Sequence, residues 1–236
     1  MSRRIVLITG ANSGIGLATA KVLAQASQEF HVILACRSLE KGTQALGELK
    51  QEGITGNVSA VQLDVTDETS IKAAATNIQE RFGHLDVLMN NAGVASRHPD
   101  IKTRLQLCMD TNVIGPAVVS AAFRSLLLKS PNSYSIYVTS GVGSLSLASD
   151  PTSKVFRGPS KWGGDWAESR DAPLKVFAVC PGFVRSNLRG TSEEERSGWG
   201  HASDPSISGN TILSILEGRR DSDVGRFIHK DGSFPW

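Results

Sequence analysis

The sequence predicts an α/β domain on a doubly wound parallel sheet, and three observations predict it. Short β-branched runs alternate with longer segments of helical period. The strand runs are apolar almost throughout, as strands covered on both faces must be, and parallel neighbours need crossover helices between them. Glycines cluster where the first strand meets the first helix.

In chain order, "RIVLIT" (4–9), "HVILAC" (31–36), "VSAVQLDV" (58–65), "LDVLMN" (85–90), "SIYVTS" (135–140) and "LKVFAVC" (174–180) read as strands. Segments 14–28, 38–52, 67–82 and 104–129 read as helices. "GNTILSILEG" and "GRFIHKDG" read as a last helix and strand. There is no internal repeat and no second hydrophobic unit, so residues 1–236 are read as a single domain. Region 185–207 is polar and rich in Ser, Gly and Glu, and reads either as a solvated loop or as a lid over a substrate.

Lys plus Arg total 25 against 23 Asp plus Glu, which leaves no broad basic field for nucleic acid or an anionic membrane. A small-molecule partner is expected instead. Cys36, Cys108 and Cys180 are far apart, with no C-x-x-C pair and no histidine at metal spacing, so reduced thiols and no metal are expected. The apolar run after "MSRR" lasts five residues, too short for a secretory core or a membrane span. A cytoplasmic protein is the expectation.

Gly10, Gly14 and Gly16 in "RIVLITGANSGIG" sit at the strand–helix junction. Glycines there let the backbone turn tightly and approach a pyrophosphate, whose charge the helix amino end stabilises. The second predicted strand ends "ACRS" and carries no carboxylate to repel a 2′-phosphate. Arg37 offers a planar cation and Ser38 a donor, so NADP(H) is preferred over NAD(H), the alternative being that Arg37 is an ordinary surface residue.

These features resemble the short-chain dehydrogenase/reductase family, whose T-G-x-x-x-G-x-G signature Thr9 to Gly16 match in full. Asn90, Asn91, Ala92 and Gly93 match its N-N-A-G, and the resemblance runs from Arg4 to about Ile228. It implies a Rossmann-type doubly wound parallel sheet. It also implies a cofactor site drawn from Gly10, Asn12, Ser13, Gly14, Ile15, Gly16, Arg37, Ser38, Asp64, Val65, Asn91, Ala92, Gly93, Lys161, Pro181, Gly182 and Val184.

The family's active site is an Asn, Ser, Tyr and Lys set, for which the resemblance supplies Asn112, Ser140 and Lys161. The tyrosine is missing: four residues before Lys161 stands Arg157, with Phe156 beside it, and the chain's two tyrosines, Tyr134 and Tyr137, both precede Ser140. Phe156 has no hydroxyl, and an arginine stays protonated. Reduction of a ketone leaves an alkoxide that a positioned acid must protonate, whereas an iminium ion takes hydride and becomes a neutral amine without one. The sequence therefore points to C=N substrates.

Asp165, four residues after Lys161, is the candidate partner of a cationic substrate nitrogen; the alternatives are an exposed helix carboxylate or a simple pair with Lys161. Trp162 and Trp166 flank it, as core packing or as an aromatic wall. The expected substrate is small, aromatic or indole-like, and cationic. The stretch from Lys161 to "LKVFAVC" is shorter than the family's interface helix, which predicts a monomer or a non-standard dimer. The missing tyrosine together with Asp165 resembles the reductase/Diels–Alderases of fungal indole alkaloid pathways, of malbrancheamide and paraherquamide type. That resemblance implies NADPH-dependent iminium reduction followed by control of an intramolecular cycloaddition. An ordinary carbonyl reductase and a non-catalytic NADP(H)-binding sensor are the alternatives.

Overall fold

The structure, a computed structural model, describes residues 3–54, 56–144, 146, 152 and 174–235. Its strands are β1 (Arg4–Thr9), β2 (Phe30–Cys36), β3 (Asn57–Gln62), β4 (Val87–Asn90), β5 (Tyr134–Val138), β6 (Lys175–Val179), β7 (Phe227–His229) and β8 (Gly232–Phe234). The helices are α1 (Gly14–Ala26), α2 (Leu39–Gln51), α3 (Glu68–Phe82), α4 (Ile101–Met109), α5 (Gly115–Leu127), α6 (Glu193–Arg196) and α7 (Ser206–Leu216). Among the described residues the strands form one sheet in the order β3-β2-β1-β4-β5-β6-β7-β8. Every pairing is parallel except β7 with β8. The chain reverses its direction of travel between β1 and β4, and in such sheets ligands bind outside the carboxyl ends of the strands at that switch point.

Alternation along each strand sends side chains to two cores. Val6 and Ile8 of β1 face α1, α2 and α7, packing with Leu23, Leu49 and Ile215. Ile5 and Leu7 face α3 and α5, packing with Ile71, Ile78 and Phe123. Burial on both faces is why the strands read as continuous apolar runs. Helix ends are set locally: the Asp67 side chain accepts from Thr69 N at 2.8 Å to start α3, and Gly83 at φ 76° stops it. Asp100 starts α4 by accepting from Thr103 N at 2.7 Å.

Three elements differ from expectation. The helix predicted over 104–129 is two helices joined by a π turn at Asp110–Ile114. The strand expected to reach residue 65 ends at Gln62, because Asp64 N donates to Ser70 Oγ at 2.9 Å instead of to a neighbouring strand. The single last strand is a hairpin, β7 and β8, whose turn is fixed by Asp231 N donating to His229 Nδ1 at 3.3 Å. Among the described residues no helix is long and apolar enough to cross a membrane.

At the amino ends of the strands, Asp86 is 7% exposed. It accepts from Ile5 N at 2.6 Å and from Ser130 Oγ at 2.5 Å, and His84 Nε2 lies 3.2 Å from it. Removing this carboxylate strands two buried donors. Asp86→Ala is therefore expected to lower unfolding stability by about 3 kcal/mol in urea titrations. A loss below about 1 kcal/mol would show the pairing to be dispensable.

Candidate active site

The carboxyl ends of β1, β4, β5 and β6 form a ledge, and one hydroxyl ties its first two turns together. Thr9, 1% exposed, accepts at Oγ1 from Asn91 N and Ala92 N, both at 3.0 Å. Asn91 answers with Nδ2 donating to Thr9 O at 2.8 Å and to Gly10 O at 3.3 Å. The glycine turn is pressed onto this pair. A Cβ on Gly10 would stand 2.9 Å from Ala92 Cα, and one on Gly16 would stand 2.7 Å from Asn91 Nδ2. Gly10 and Gly14 also take φ values of 64° and 57°.

The amino end of α1 is left for an anion. Ser13 makes no side-chain cap, and the first turn carries no acidic residue. Its orphan N–H groups and the positive end of the helix dipole fit a pyrophosphate. Asn12, Ser13 and Ile15 are half-buried along the same turn, with Ile15 packed against the core. The residues present thus fit a nicotinamide dinucleotide.

Arg37 is exposed just past β2 and makes no ion pair among the described residues. Ser38 caps α2, its Oγ accepting from Lys41 N at 3.3 Å and its hydroxyl proton remaining a donor. Asp64 is half-buried, its Oδ1 fixed by Thr66 N at 2.9 Å and Thr66 Oγ1 at 2.8 Å. Val65 is buried, and its carbonyl would lie 2.9 Å from a Cβ on Gly115, so the start of α5 is fitted to it.

Asn112 lies in the π turn, where an extra residue per turn commonly marks a functional site. Its Oδ1 accepts from Val94 N and its Nδ2 donates to Val94 O, both at 2.8 Å. A Cβ on Gly93 would come 3.4 Å from the same Oδ1. The helix is thereby stitched to the chain leaving the Asn91–Gly93 turn. Exposed Ser140 follows β5 on the same ledge, and Thr139 N donates to Val179 O at 2.8 Å. Pro181 O accepts from Ser208 Oγ at 3.0 Å, and Gly182 turns the chain at φ 79°. Val184 is buried, with its carbonyl taken by Arg189 Nη2 at 2.8 Å. Lys161 and Asp165, with Phe156, Arg157, Trp162 and Trp166, lie outside the described residues.

Tyr134 and Tyr137 are both engaged within the fold. The Tyr134 hydroxyl accepts from Lys175 Nζ at 3.1 Å, and that of Tyr137 lies 2.7 Å from Ser120 Oγ on α5, which in turn receives Asn90 Nδ2 at 3.0 Å.

Segment 183–203 is a hydrogen-bonded knot rather than an open loop. Arg185 N donates to Ser203 O and Ser203 N to Phe183 O, each at 2.9 Å, and Ser192 with Glu195 forms a capping box on α6. Arg97, from the loop after β4, reaches across to Glu195 at 2.7 Å and also donates to Arg189 O. That guanidinium, followed by the Ser192 donors, holds the Glu195 carboxyl below its ordinary range. The contribution of the bridge is therefore present at neutral pH and is lost as pH falls through that lowered value.

The sequence reading missed three contributors. Thr9 carries the interlock, and its place in the signature was the available signal. Ser186 sits against the glycine turn, 3.5 Å from where a Gly14 Cβ would be, and Arg97 bridges to the knot. For these two, partners far away in sequence left no local signal. Cys36, behind the turn, has its thiol pushed up to about 11 by burial, against the opposing pull of the Ala11 and Asn12 N–H groups. Because the thiolate is the nucleophile, native protein at about pH 8 is expected to leave Cys36 unlabelled by iodoacetamide, and denatured protein to label it. Rapid native labelling, located by peptide mass spectrometry, would contradict this.

The profile of the short chain dehydrogenase family matches residues 4–197. The chain is 32% identical to the short-chain dehydrogenase/reductase tropE of Talaromyces stipitatus, over 98% of this chain and 96% of that one. It is 38% identical to a short-chain dehydrogenase/reductase of Aspergillus fumigatus, over 100% and 98%. The alignment to tropE runs over 259 residues, longer than the 236 here, so that relative carries residues without counterparts in this chain. Among solved structures, the NADPH-bound carbonyl reductase from chicken fatty liver superposes with a TM-score of 0.75 at 26% identity, covering 100% of both chains. With the dinucleotide turn, the Asn91–Gly93 turn and Asn112 assembled on one ledge, the chain belongs to the short-chain dehydrogenase/reductase family of oxidoreductases.

Proposed function

We propose that the protein is an NADPH-dependent reductase of a cyclic iminium in fungal secondary metabolism. The observation that carries this reading is the absence of a phenol to act as acid. The chain's tyrosines are Tyr134 and Tyr137, and both hydroxyls are bonded to Lys175 and Ser120 respectively. The fungal sources of the relatives and the Asp165 carboxylate support the substrate class.

Bound NADPH would supply hydride to the iminium carbon, while the C=N π pair becomes the nitrogen lone pair; the product is a neutral amine, and no proton is consumed. The α1 amino end, with Gly14, Gly16 and Ser186, would seat the pyrophosphate. Arg37 and Ser38 would hold the 2′-phosphate, and Asn91 and Lys161 the nicotinamide side. Ser140 would orient the substrate, and Asp165 would stabilise the cationic nitrogen before transfer. Residues 185–207 would cover the substrate, the Arg97–Glu195 bridge holding that cover in place. Where the neutral product of hydride transfer is an azadiene that carries its own dienophile, a covered pocket that fixes one conformer can also direct its intramolecular [4+2] cycloaddition, since that step needs shape rather than an acid or base.

Stopped-flow oxidation of NADPH with N-methyl-3,4-dihydroisoquinolinium and with a matched cyclic ketone tests the reading. Turnover of the iminium alone is expected, and equal or faster ketone reduction would replace this reading with that of a carbonyl reductase. Asp165→Asn should slow iminium turnover on the order of 100-fold while NADPH affinity holds. Arg37→Ala should weaken NADPH on the order of 10- to 100-fold and leave NADH affinity unchanged. Equal losses for both cofactors would remove Arg37 from the phosphate site.

A further inference from the structure

Ser140 is exposed and stands between the end of β5 and a single 3₁₀ turn, Gly141–Gly143. That turn lies outside the β-ladders of the sheet, and contacts with other elements help to hold it. Within the turn, Gly143 N donates to Ser140 O at 2.7 Å and Ser144 N to Gly141 O at 3.1 Å. Gly141 N donates to Cys180 Sγ at 3.3 Å, which joins the turn to the end of β6.

Further anchors come from β8 and the residue after it. In the sheet, β6 and β7 separate β5 from β8, yet the turn after β5 reaches across both. Ser144 is 0% exposed, and its Oγ donates to Pro235 O at 2.6 Å. The Phe234 ring lies against Gly141, where a Cβ would be 3.5 Å from its Cε2. That ring is fixed in turn by stacking on His229 at 4.3 Å and by a tilted contact with Phe227 at 5.3 Å. Phe227, 1% exposed, is part of the buried sheet. A continuous path of packed and hydrogen-bonded groups therefore runs from the core through Phe227, Phe234 and Pro235 to the residues that follow Ser140.

We infer that Ser144 and Phe234 are positioning residues for the Ser140 hydroxyl. They brace the 3₁₀ turn from β8 so that Ser140 meets the substrate at a fixed distance from the transferring hydride. This inference rests on the role given to Ser140 above. The physical reason is that reacting groups displaced by about 1 Å lose on the order of 100-fold in rate.

Hydrogen exchange read by mass spectrometry and single-turnover NADPH oxidation with N-methyl-3,4-dihydroisoquinolinium test it together, on Ser144→Ala, Phe234→Ala, Phe234→Tyr and Ser140→Ala. Ser144→Ala and Phe234→Ala should each speed exchange in peptide 139–144 about tenfold, with β5 protection kept. Each should lower the rate about tenfold with NADPH affinity unchanged, while Phe234→Tyr, which keeps the ring, matches the native protein. In a Ser140→Ala background, adding Phe234→Ala should bring little further loss, whereas additive losses would mark a general structural role and overturn the inference. Native exchange in peptide 139–144 of both brace variants overturns the brace, and does so without a substrate. If Ser140→Ala is slow while the brace variants turn over normally, the brace fails and the reading of Ser140 stands. If Ser140→Ala itself turns over normally, both fall.

Discussion

One buried hydroxyl holds the two halves of this site in register. Thr9 Oγ1 receives two backbone N–H groups from the turn after β4, and Asn91 returns its amide to the carbonyls of Thr9 and Gly10. Gly10 N and Ala11 N are held by Ala35 O of β2, and this exchange supplies partners to Asn91 N, Ala92 N and the Gly10 carbonyl. Everything placed relative to the turns inherits the constraint. The glycines must lack side chains because Ala92 and Asn91 stand where those side chains would be. The α1 amino end points where it does because the glycine turn cannot shift.

The opposite half of the ledge is organised differently. Asn112 and Val94 exchange two hydrogen bonds, and the turn after β5 leans on the end of β6 and on the chain at β8. Both arrangements fix position. For the proposed hydride transfer to a cationic acceptor, orientation is the use left to Asn112 and Ser140. Orientation remains valuable when proton transfer is not required.

Much of this was legible in the residues because it is local. The strand runs, the glycine spacing and the Asn91–Gly93 turn are written in neighbouring positions. Even so, β3 is shorter than its apolar pattern, since Ser70 takes the Asp64 N–H. The helix over 104–129 breaks at a π turn that helical periodicity does not announce. What stayed hidden depends on partners far along the chain: Arg97 with Glu195, Ser144 with Pro235, Gly14 with Ser186. Such pairs follow from the sheet order, which a sequence pattern constrains but does not print. Residues 185–207 read as a solvated loop or a lid for a related reason, because polar side chains bonded to one another look like polar side chains bonded to water.

The π turn also separates two design problems that one uninterrupted helix would merge. Five residues closing a wider ring shift the angular phase of everything downstream, so α5 can aim Val119 and Phe123 at the core while α4, in which no residue is buried, follows its own rotation. Substitutions along α4 are thereby insulated from packing beneath the sheet. Side chains on the rim around the Asn112 stitch can therefore change without disturbing the core that α5 packs.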